Sequence, residues 1–267
     1  MFLNVEEIIA RAAPLAWPVY LYNSIGSTNT EAIRLISDTD YTAPFLVLAE
    51  QQTTGKGRRG RKWISPFAQN VYFSLVLQID GGLQQLEGLS LVVGLAVMHS
   101  LRALSVHGAA LKWPNDILVG HKKIAGILLE LVGNPIDICH IVLGIGINAN
   151  MQASMEIHQQ WTSIQLETGF PIDRNYLIAK LWLQLQDYLT RHKTFGFIAL
   201  QEEWERNHLW QGKAVSLIAD VNQIDGIVLG VDRYGALRLN LDGVETIYRS
   251  GELSLRLRDD SRVRLWE

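Results

Sequence analysis

The stretch Gly55-Lys56-Gly57-Arg58-Arg59-Gly60-Arg61-Lys62-Trp63, called here the basic loop, places five of the chain's 24 lysine and arginine residues within seven positions. Glycine lets a backbone approach a ligand closely, and the arginine guanidinium matches the paired oxygens of a phosphate or a carboxylate. The segment therefore predicts a site for an anion. A solvated basic loop and a nucleic-acid patch are the two alternatives for such a segment.

The glycines of the basic loop also have the spacing of a dinucleotide-binding fingerprint. Gly55, Gly57 and Gly60 follow the strand-like run Phe45–Ala49 as Gly-x-Gly-x-x-Gly. That fingerprint needs a helix at the third glycine, whereas Pro66 disfavours a helical residue before it. The sequence contains no Gly-x-x-x-x-Gly-Lys-Ser/Thr phosphate loop. A Rossmann fold is therefore only weakly indicated.

The composition is that of an ordinary globular protein. The 267 residues are 48% apolar and 19% charged, which suffices for one large domain and a small second one. The net charge of −3 argues against binding of duplex nucleic acid through bulk charge, so no DNA partner is expected. Cys139 is the only cysteine, which excludes internal disulfides and indicates a buried thiol.

Export, membrane insertion and metal binding are each disfavoured. Glu6 and Glu7 occur where a signal peptide would carry basic residues, so a cytoplasmic protein is expected. The longest uncharged apolar stretch, Leu89–Met98, has about half of the roughly 20 residues that a membrane span needs, so no membrane partner is expected. The seven histidines lack metal-ligand spacing, and no metal held by a dedicated protein site is expected.

Apolar periodicity predicts mixed helices and strands up to about residue 210. A helix is expected to start at Ser27-Thr28-Asn29-Thr30-Glu31, with Thr28 and Glu31 at capping-box spacing. The other predicted elements are the strands Asn70–Ile79, Ala110–Trp113, Asp116–Val119, Ala125–Val132 and His140–Gly144, a hairpin turn at Gly120-His121, and the helices Leu89–Leu104, Asn175–His192 and Ile198–Asn207.

The pattern changes after Gln211-Gly212 to short strands at regular spacing, separated by turns with Asp, Asn and Gly. These strands are Ala214–Ala219, Gly226–Val231, Ala236–Leu241, Thr246–Tyr248 and Leu253–Leu257. They predict a small antiparallel barrel and a domain boundary near residue 211.

Five short motifs occur together in this chain. They are Ser27-Thr28-Asn29, Glu50-Gln51-Gln52 leading into the basic loop, Lys112-Trp113-Pro114-Asn115-Asp116, Lys123-Ile124-Ala125-Gly126-Ile127-Leu128-Leu129-Glu130, and Gly144-Ile145-Gly146-Ile147-Asn148. With these motifs in this order, the chain resembles the biotin–protein ligase family over essentially its whole length. The resemblance implies an α+β fold: a class II synthetase-like catalytic domain of the biotin–lipoate ligase type on a mixed sheet in residues 1–210, and a small C-terminal SH3-like β-barrel in residues 211–267.

The resemblance also indicates the single-function type of the family. Bifunctional members begin with a winged helix-turn-helix DNA-binding domain, whereas fewer than thirty residues precede Ser27 here. One position departs from the family pattern, because Lys56 stands where the loop usually has arginine. Lysine keeps the charge but loses the bidentate fork.

The implied activity is that of a biotin–[acetyl-CoA-carboxylase] ligase. Biotin would react with ATP, accompanied by Mg²⁺, to give biotinyl-adenylate, and a lysine of the biotin carboxyl carrier domain of acetyl-CoA carboxylase would then accept the biotin. Both reactants of the first step are anions, which accounts for the cations of the basic loop. A homodimer is left open. The alternatives are a lipoate or octanoate ligase or transferase of the same fold, and a nucleic-acid-binding module that uses the basic loop.

Three residues are the catalytic candidates that the resemblance implies. Lys123 matches the family lysine that bridges the biotin carboxylate and the α-phosphate, although without the family match an exposed hairpin lysine would be favoured. Arg58 matches the loop arginine that contacts ligand and phosphate. Asp116 is expected to orient Lys123 or the incoming amine, with general-base action as a further hypothesis.

The resemblance implies two sets of ligand contacts. The biotin-binding set is Ser27, Thr28, Asn29, Gln52, Gly55, Lys56, Gly57, Arg58, Lys123, Gly126, Gly144 and Gly146. The set for ATP or the adenylate is Arg58, Arg59, Arg61, Trp63, Lys112, Asn115, Asn148, Trp161 and Arg256. Structural roles remain open for several members: a turn for Asn115, strand bulges for the glycines, and packing for Trp161.

Overall fold

The computed structural model describes residues 2–38, 41–79, 82–134, 139–219, 222–249 and 253–258. Within these ranges the chain forms six α-helices and two β-sheets. The helices are α1 (Val5–Ala12), α2 (Thr28–Ile36), α3 (Leu89–Arg102), α4 (Ile164–Thr168), α5 (Arg174–Phe195) and α6 (Ile198–Arg206). None of the helices in the described ranges is both long and apolar enough to cross a membrane.

Seven strands form the larger sheet, in the order β1-β2-β3-β7-β6-β5-β4. They are β1 (Val19–Tyr22), β2 (Phe45–Ala49), β3 (Val71–Ile79), β4 (Ala109–Lys112), β5 (Asp116–Val119), β6 (Lys122–Val132) and β7 (Cys139–Ile147). β1 and β2 are parallel and the other neighbours are antiparallel, so the predicted mixed sheet is confirmed.

The two faces of this sheet are covered by different helices. Phe73 and Leu75 of β3 belong to the large core beneath α3 and α5, whereas Val47 and Val76 pack in a smaller cluster with α2. Because side chains alternate along a strand, Ser74, between Phe73 and Leu75, points toward α2. The α2 face is therefore where β3 can present polar side chains, and the candidate site lies on it.

A second sheet follows the helices. It contains β8 (Ala214–Ala219), β9 (Asn222–Val231), β10 (Leu237–Leu241), β11 (Val244–Tyr248) and β12 (Leu253–Leu257), in the antiparallel order β11-β10-β9-β8-β12. The predicted C-terminal β region is thus confirmed. Its SH3-like closure and the division of the chain near residue 211 stay predictions. The outer ends of the two predicted domains, Met1 and residues 259–267, lie outside the described residues.

Two local expectations about the site are corrected. The capping box is wrong: Ser27 is the N-cap of α2, the N–H and hydroxyl of Thr28 both donate to Gln52 Oε1, and Glu31 accepts from the Tyr22 hydroxyl. β6 begins at Lys122 rather than at Ala125, so Lys123 lies in a strand and pairs with Leu118. No α-helix opens at Gly60, where the chain makes one short 3₁₀ turn, Arg58–Gly60, and continues in extended form.

Candidate active site

An inner pocket lies between the start of α2, the basic loop and the middle of the larger sheet. Its lining includes all but one of the residues predicted to bind biotin: Ser27, Thr28, Asn29, Gln52, Lys56, Gly57, Arg58, Lys123, Gly126, Gly144 and Gly146. The exception is Gly55, where a Cβ would lie 2.4 Å from the carbonyl oxygen of Trp63. Gly55 therefore packs against the backbone of Trp63, where the two ends of the basic loop meet, and does not line the pocket.

Hydroxyl and amide side chains, together with the Glu130 carboxylate, join in a hydrogen-bond network at the base of the inner pocket. Gln52 Oε1 accepts from the Thr28 N–H at 2.9 Å and from the Thr28 hydroxyl at 3.1 Å. The Ser74 hydroxyl donates to Asn29 Oδ1 at 2.6 Å, and Asn29 Nδ2 donates to Glu130 Oε2 at 2.7 Å. Thr28, Asn29 and Ser74 are buried, so these bonds hold the amide groups in fixed orientations.

Glycines on β6 and β7 leave room for side chains that cross the sheet. A Cβ on Gly144 would lie 2.3 Å from Asn29 Oδ1, and one on Gly146 would lie 2.5 Å from the ring of Trp63. The Lys123 side chain lies over Gly126 in the same way, 3.0 Å from the position of a Cβ. The glycines therefore admit Asn29, Trp63 and Lys123 to the pocket.

The basic loop is a short hairpin. The Gly57 N–H donates to the Arg61 carbonyl at 2.7 Å, and the Trp63 N–H donates to the Gly55 carbonyl at 2.9 Å. Arg59, at the tip, has a φ of 60° and is exposed, as is Arg61. Lys56 and Lys62 pair across this hairpin.

Among the three arginines of the basic loop, Arg58 is half-buried, whereas Arg59 and Arg61 are exposed. Arg58 Nη1 donates to Asn115 Oδ1 at 3.0 Å, and Asn115 Nδ2 donates to the Ile127 carbonyl at 2.6 Å. Burial lowers the pKa of Arg58, the Asp116 charge opposes that shift, and the neighbouring loop arginines add to it. A guanidinium remains charged in proteins, so this lowered pKa marks a cation that an anionic ligand would stabilise.

Asp116 is held between two lysines. Its Oδ1 lies 2.6 Å from Lys123 Nζ, and its Oδ2 lies 3.7 Å from Lys112 Nζ. Burial alone would raise the pKa of Asp116, but the charges of Lys123 and Lys112 outweigh it and leave the pKa below its usual value. A general base works best with a pKa near the operating pH. The arrangement therefore suits Asp116 to orienting Lys123 rather than to accepting a proton.

An outer groove, more open and more cationic, adjoins the inner pocket. All nine residues predicted to contact ATP or the adenylate line it: Arg58, Arg59, Arg61, Trp63, Lys112, Asn115, Asn148, Trp161 and Arg256. Burial lowers the pKa of Lys112, and Asp116 opposes that shift. Arg256 belongs to β12, so the second sheet supplies part of the groove wall.

Two members of the outer groove have structural bonds that explain their positions. Asn148 is buried, and its Nδ2 donates to the Thr162 carbonyl at 2.9 Å. The Thr162 N–H in turn donates to the Lys123 carbonyl at 2.9 Å, and Trp161 forms a bridge with Lys123. Asn148 and the segment around Trp161 thus hold the backbone of Lys123 in place.

The pocket and the groove meet along a shared line of residues. These are Gly57, Arg58, Trp63, Asn115 and Lys123. The Lys123 ammonium lies 5.3 Å from the centre of the Trp63 ring, a cation–π distance. A ligand that extends from the pocket into the groove would therefore pass both Arg58 and Lys123.

Four residues at the site were not among the predicted ligand-binding or catalytic residues. Tyr72 lines the inner pocket, Ser74 and Glu130 belong to its network, and Ser65 accepts from Gln52 Nε2 at 3.0 Å. The available signal was the alternation of β3, whose apolar face left Tyr72 and Ser74 together on the other side. In the described part of the chain, no group of three or more His, Cys, Asp or Glu residues could hold a metal ion.

Comparisons with known proteins agree with this architecture. Residues 21–148 match the model of the biotin/lipoate A/B protein ligase family. The bifunctional ligase/repressor BirA of Escherichia coli is 34% identical over 95% of this chain and 84% of its own length. The biotin–[acetyl-CoA-carboxylase] ligase of Paracoccus denitrificans is 34% identical over 80% of this chain and 90% of its own length.

A solved structure has the same fold over most of this chain. The biotin protein ligase from Aquifex aeolicus in complex with biotin and ATP superposes with a TM-score of 0.79 at 28% identity, covering 90% of this chain and 99% of that one. Together with the identity to the Escherichia coli protein over nearly the whole length, this assigns the family. The chain belongs to the biotin/lipoate A/B protein ligase family.

Proposed function

We propose that this protein is an ATP-dependent biotin ligase, which attaches biotin to a lysine of the biotin carboxyl carrier domain of acetyl-CoA carboxylase through biotinyl-adenylate. The observation that carries the proposal is the position of Lys123, which lies where the inner pocket, with its hydroxyl and amide groups, meets the more cationic outer groove. The names of the Paracoccus denitrificans relative and of the Aquifex aeolicus complex support the same substrates.

The inner pocket suits the ureido ring of biotin. That ring has one carbonyl and two N–H groups, and an enclosed pocket must match each of them with a hydrogen-bond partner. Ser27, Thr28, Asn29 and Gln52 supply hydroxyl and amide groups at the wall, and the network beneath them fixes which atoms face inward. The biotin tail would then direct its carboxylate toward Lys123.

The first step joins two anions. A carboxylate oxygen of biotin attacks the α-phosphorus of ATP, a P–O bond to the leaving pyrophosphate breaks, and biotinyl-adenylate forms. Lys123 and Arg58 lie at the line between pocket and groove, where they would hold the carboxylate near the phosphate and offset the developing charge. Asp116, 2.6 Å from Lys123, keeps the ammonium directed to that line.

The second step transfers the acyl group. The ε-amine of the carrier lysine, after losing a proton, attacks the acyl carbon of biotinyl-adenylate, and AMP leaves. An unperturbed lysine has a pKa near 10.4, so a group that takes up this proton is needed. The proton passes to solvent at the outer groove, while Asp116, whose two oxygens face lysine ammonium groups, keeps its orienting role.

Mg²⁺ would enter with ATP. It prefers oxygen ligands and retains water, and Asp116, a carboxylate in the lining of the outer groove, has its two oxygens 2.6 Å and 3.7 Å from lysine ammonium groups. The chain's own residues therefore fit an ion that is held chiefly by phosphate oxygens, whose charge it neutralises.

We further propose a cytoplasmic location. Sedimentation of the purified protein tests whether it forms a homodimer.

The test is exchange of labelled pyrophosphate into ATP, measured separately with biotin, lipoate and octanoate. We expect exchange with biotin alone, followed by a mass increase of a biotin carboxyl carrier domain at one lysine. Exchange with lipoate or octanoate but not with biotin would instead identify a lipoate or octanoate ligase of the same fold.

A further inference from the structure

Ser65 follows the basic loop and joins it to the inner pocket through a single hydroxyl. Its Oγ accepts from Gln52 Nε2 at 3.0 Å and donates to the Trp63 carbonyl at 3.0 Å. Ser65 itself is buried and is absent from the pocket lining. It therefore touches a residue that lines the pocket and the backbone at the end of the basic loop, without being placed to touch a ligand.

The direction of these hydrogen bonds is fixed by chemistry. The Thr28 N–H can only donate, so Gln52 must present its Oε1 to Thr28 and its Nε2 to Ser65. A serine hydroxyl has one hydrogen, and Ser65 gives it to the Trp63 carbonyl. The relay from Thr28 through Gln52 and Ser65 to Trp63 thus has one polarity, and rotating the Gln52 amide would break it.

The relay is packed tightly against the other end of the loop. A Cβ on Gly55 would lie 2.4 Å from the Trp63 carbonyl oxygen, 2.7 Å from Ser65 Oγ and 3.1 Å from Gln52 Nε2. The Trp63 N–H also donates to the Gly55 carbonyl, so both ends of the basic loop meet at this point. A shift of Ser65 would move the Gln52 amide and the base of the hairpin that carries Arg58.

We infer that Ser65 is a positioning residue that sets the orientation of the Gln52 amide. Ser65 acts on biotin recognition through Gln52. This inference rests on the proposed biotin ligase function and extends it to a residue outside the pocket wall.

The experiment compares Ser65→Ala with the wild-type protein in biotin-dependent pyrophosphate exchange. Without the hydroxyl, Gln52 Nε2 loses its buried acceptor, and we expect the KM for biotin to rise about tenfold with kcat changed less than about twofold. Ser24→Ala is the matched control. The Ser24 hydroxyl donates to Oε1 of Gln51, the residue before Gln52, at 3.1 Å, and this similar serine–glutamine bond is exposed. Its KM for biotin should stay within about twofold of wild type.

A second background separates positioning through Gln52 from a general structural effect. In Gln52→Met, which keeps the length of the side chain but has no amide, Ser65→Ala should raise the KM for biotin less than about twofold. An equal rise in both backgrounds, or an unchanged KM in the single variant, would overturn the inference. If Ser65→Ala does not fold, Ser65→Cys replaces it, because a thiol is a weak donor and acceptor of similar size.

The wild-type measurement separates this inference from the proposed function. Wild-type protein without biotin-dependent exchange would overturn both. Active wild-type protein with an unaffected Ser65→Ala variant would overturn only the role of Ser65.

Discussion

The inner pocket and the outer groove share a line of residues but differ in their chemistry. The pocket is built on the sheet and the start of α2, and its base is a hydrogen-bond network of hydroxyl and amide groups such as Thr28, Gln52 and Ser74. The groove collects cations from separate segments, among them Arg59, Lys112 and Arg256. One region is fixed by short hydrogen bonds, and the other carries charge that a ligand must neutralise.

This difference indicates how the two regions would discriminate. A buried hydrogen-bond network recognises a ligand by the position of each donor and acceptor, so a ligand with one group out of place leaves a polar atom unpaired. A cationic groove attracts any suitable anion over a longer range and in a way that salt screens. Selectivity for the acid substrate should therefore reside in the pocket, and nucleotide binding should depend on the groove.

The largest effect is expected at the line between the two regions. Lys123→Ala should lower biotin-dependent pyrophosphate exchange at least about 100-fold, because the ammonium would contact both anions and each charged hydrogen bond is worth about 1.5–3 kcal/mol. Lys122→Ala is the matched control, since Lys122 is the exposed neighbour on the same strand. Equal activity of the two variants would remove Lys123 from the mechanism.

A smaller loss is expected for the half-buried arginine of the basic loop. Arg58→Ala should reduce exchange roughly ten- to hundredfold, since one charged contact is lost. Arg58→Lys keeps the charge without the planar fork, and should recover part of that loss. An Arg58→Ala enzyme with wild-type kinetics for biotin and ATP would show that the loop does not act on either substrate.

The inner pocket alone is probed by filling the space beside Asn29. A Cβ on Gly144 would lie 2.3 Å from Asn29 Oδ1, so Gly144→Ala must displace the amide from Ser74. We expect the KM for biotin to rise about tenfold and the KM for ATP to stay within about twofold. In the control Gly108→Ala, the Cβ would lie 3.2 Å from Val119 and outside both regions. A larger change in the KM for ATP than for biotin would contradict the division.

Salt should separate the two regions without a mutation. Raising the ionic strength from about 0.05 M to 0.5 M shortens the range of charge interactions, so the KM for ATP should rise several-fold. The KM for biotin should change less than about twofold, because salt screens buried contacts much less than exposed ones and the pocket network is built on the buried Thr28, Asn29 and Ser74. Steady-state exchange rates at each salt concentration provide both values, and parallel changes would argue that the groove charges also govern biotin binding.

The groove was easier to predict from the sequence than the base of the pocket. Five cations in seven positions are visible without any structure, and Lys123 is marked by the motif around it. The helices and strands, including the C-terminal strands, also followed from apolar periodicity and turn residues, whereas the mixed sheet was implied by the family resemblance. These signals are local, since each depends on residues close together in the chain.

The pocket network depends on contacts that sequence spacing does not reveal. Ser74 reaches Asn29 only because of the register of β3 with β7, which places Gly144 opposite Ser74. The capping box failed for the same reason, because Gln52, 24 residues from Thr28, takes the bonds that Glu31 was expected to make. Tertiary partners therefore overrode the local pattern.

A crystal structure with a non-hydrolysable analogue of biotinyl-adenylate tests the central claim most directly. The account predicts the ureido ring within hydrogen-bond distance of Gln52 or Asn29 in the inner pocket, the adenine in the outer groove, and the phosphate analogue in contact with Lys123 and Arg58. An analogue with its ureido ring in the outer groove, or with its acyl-phosphate linkage out of reach of Lys123, would contradict it.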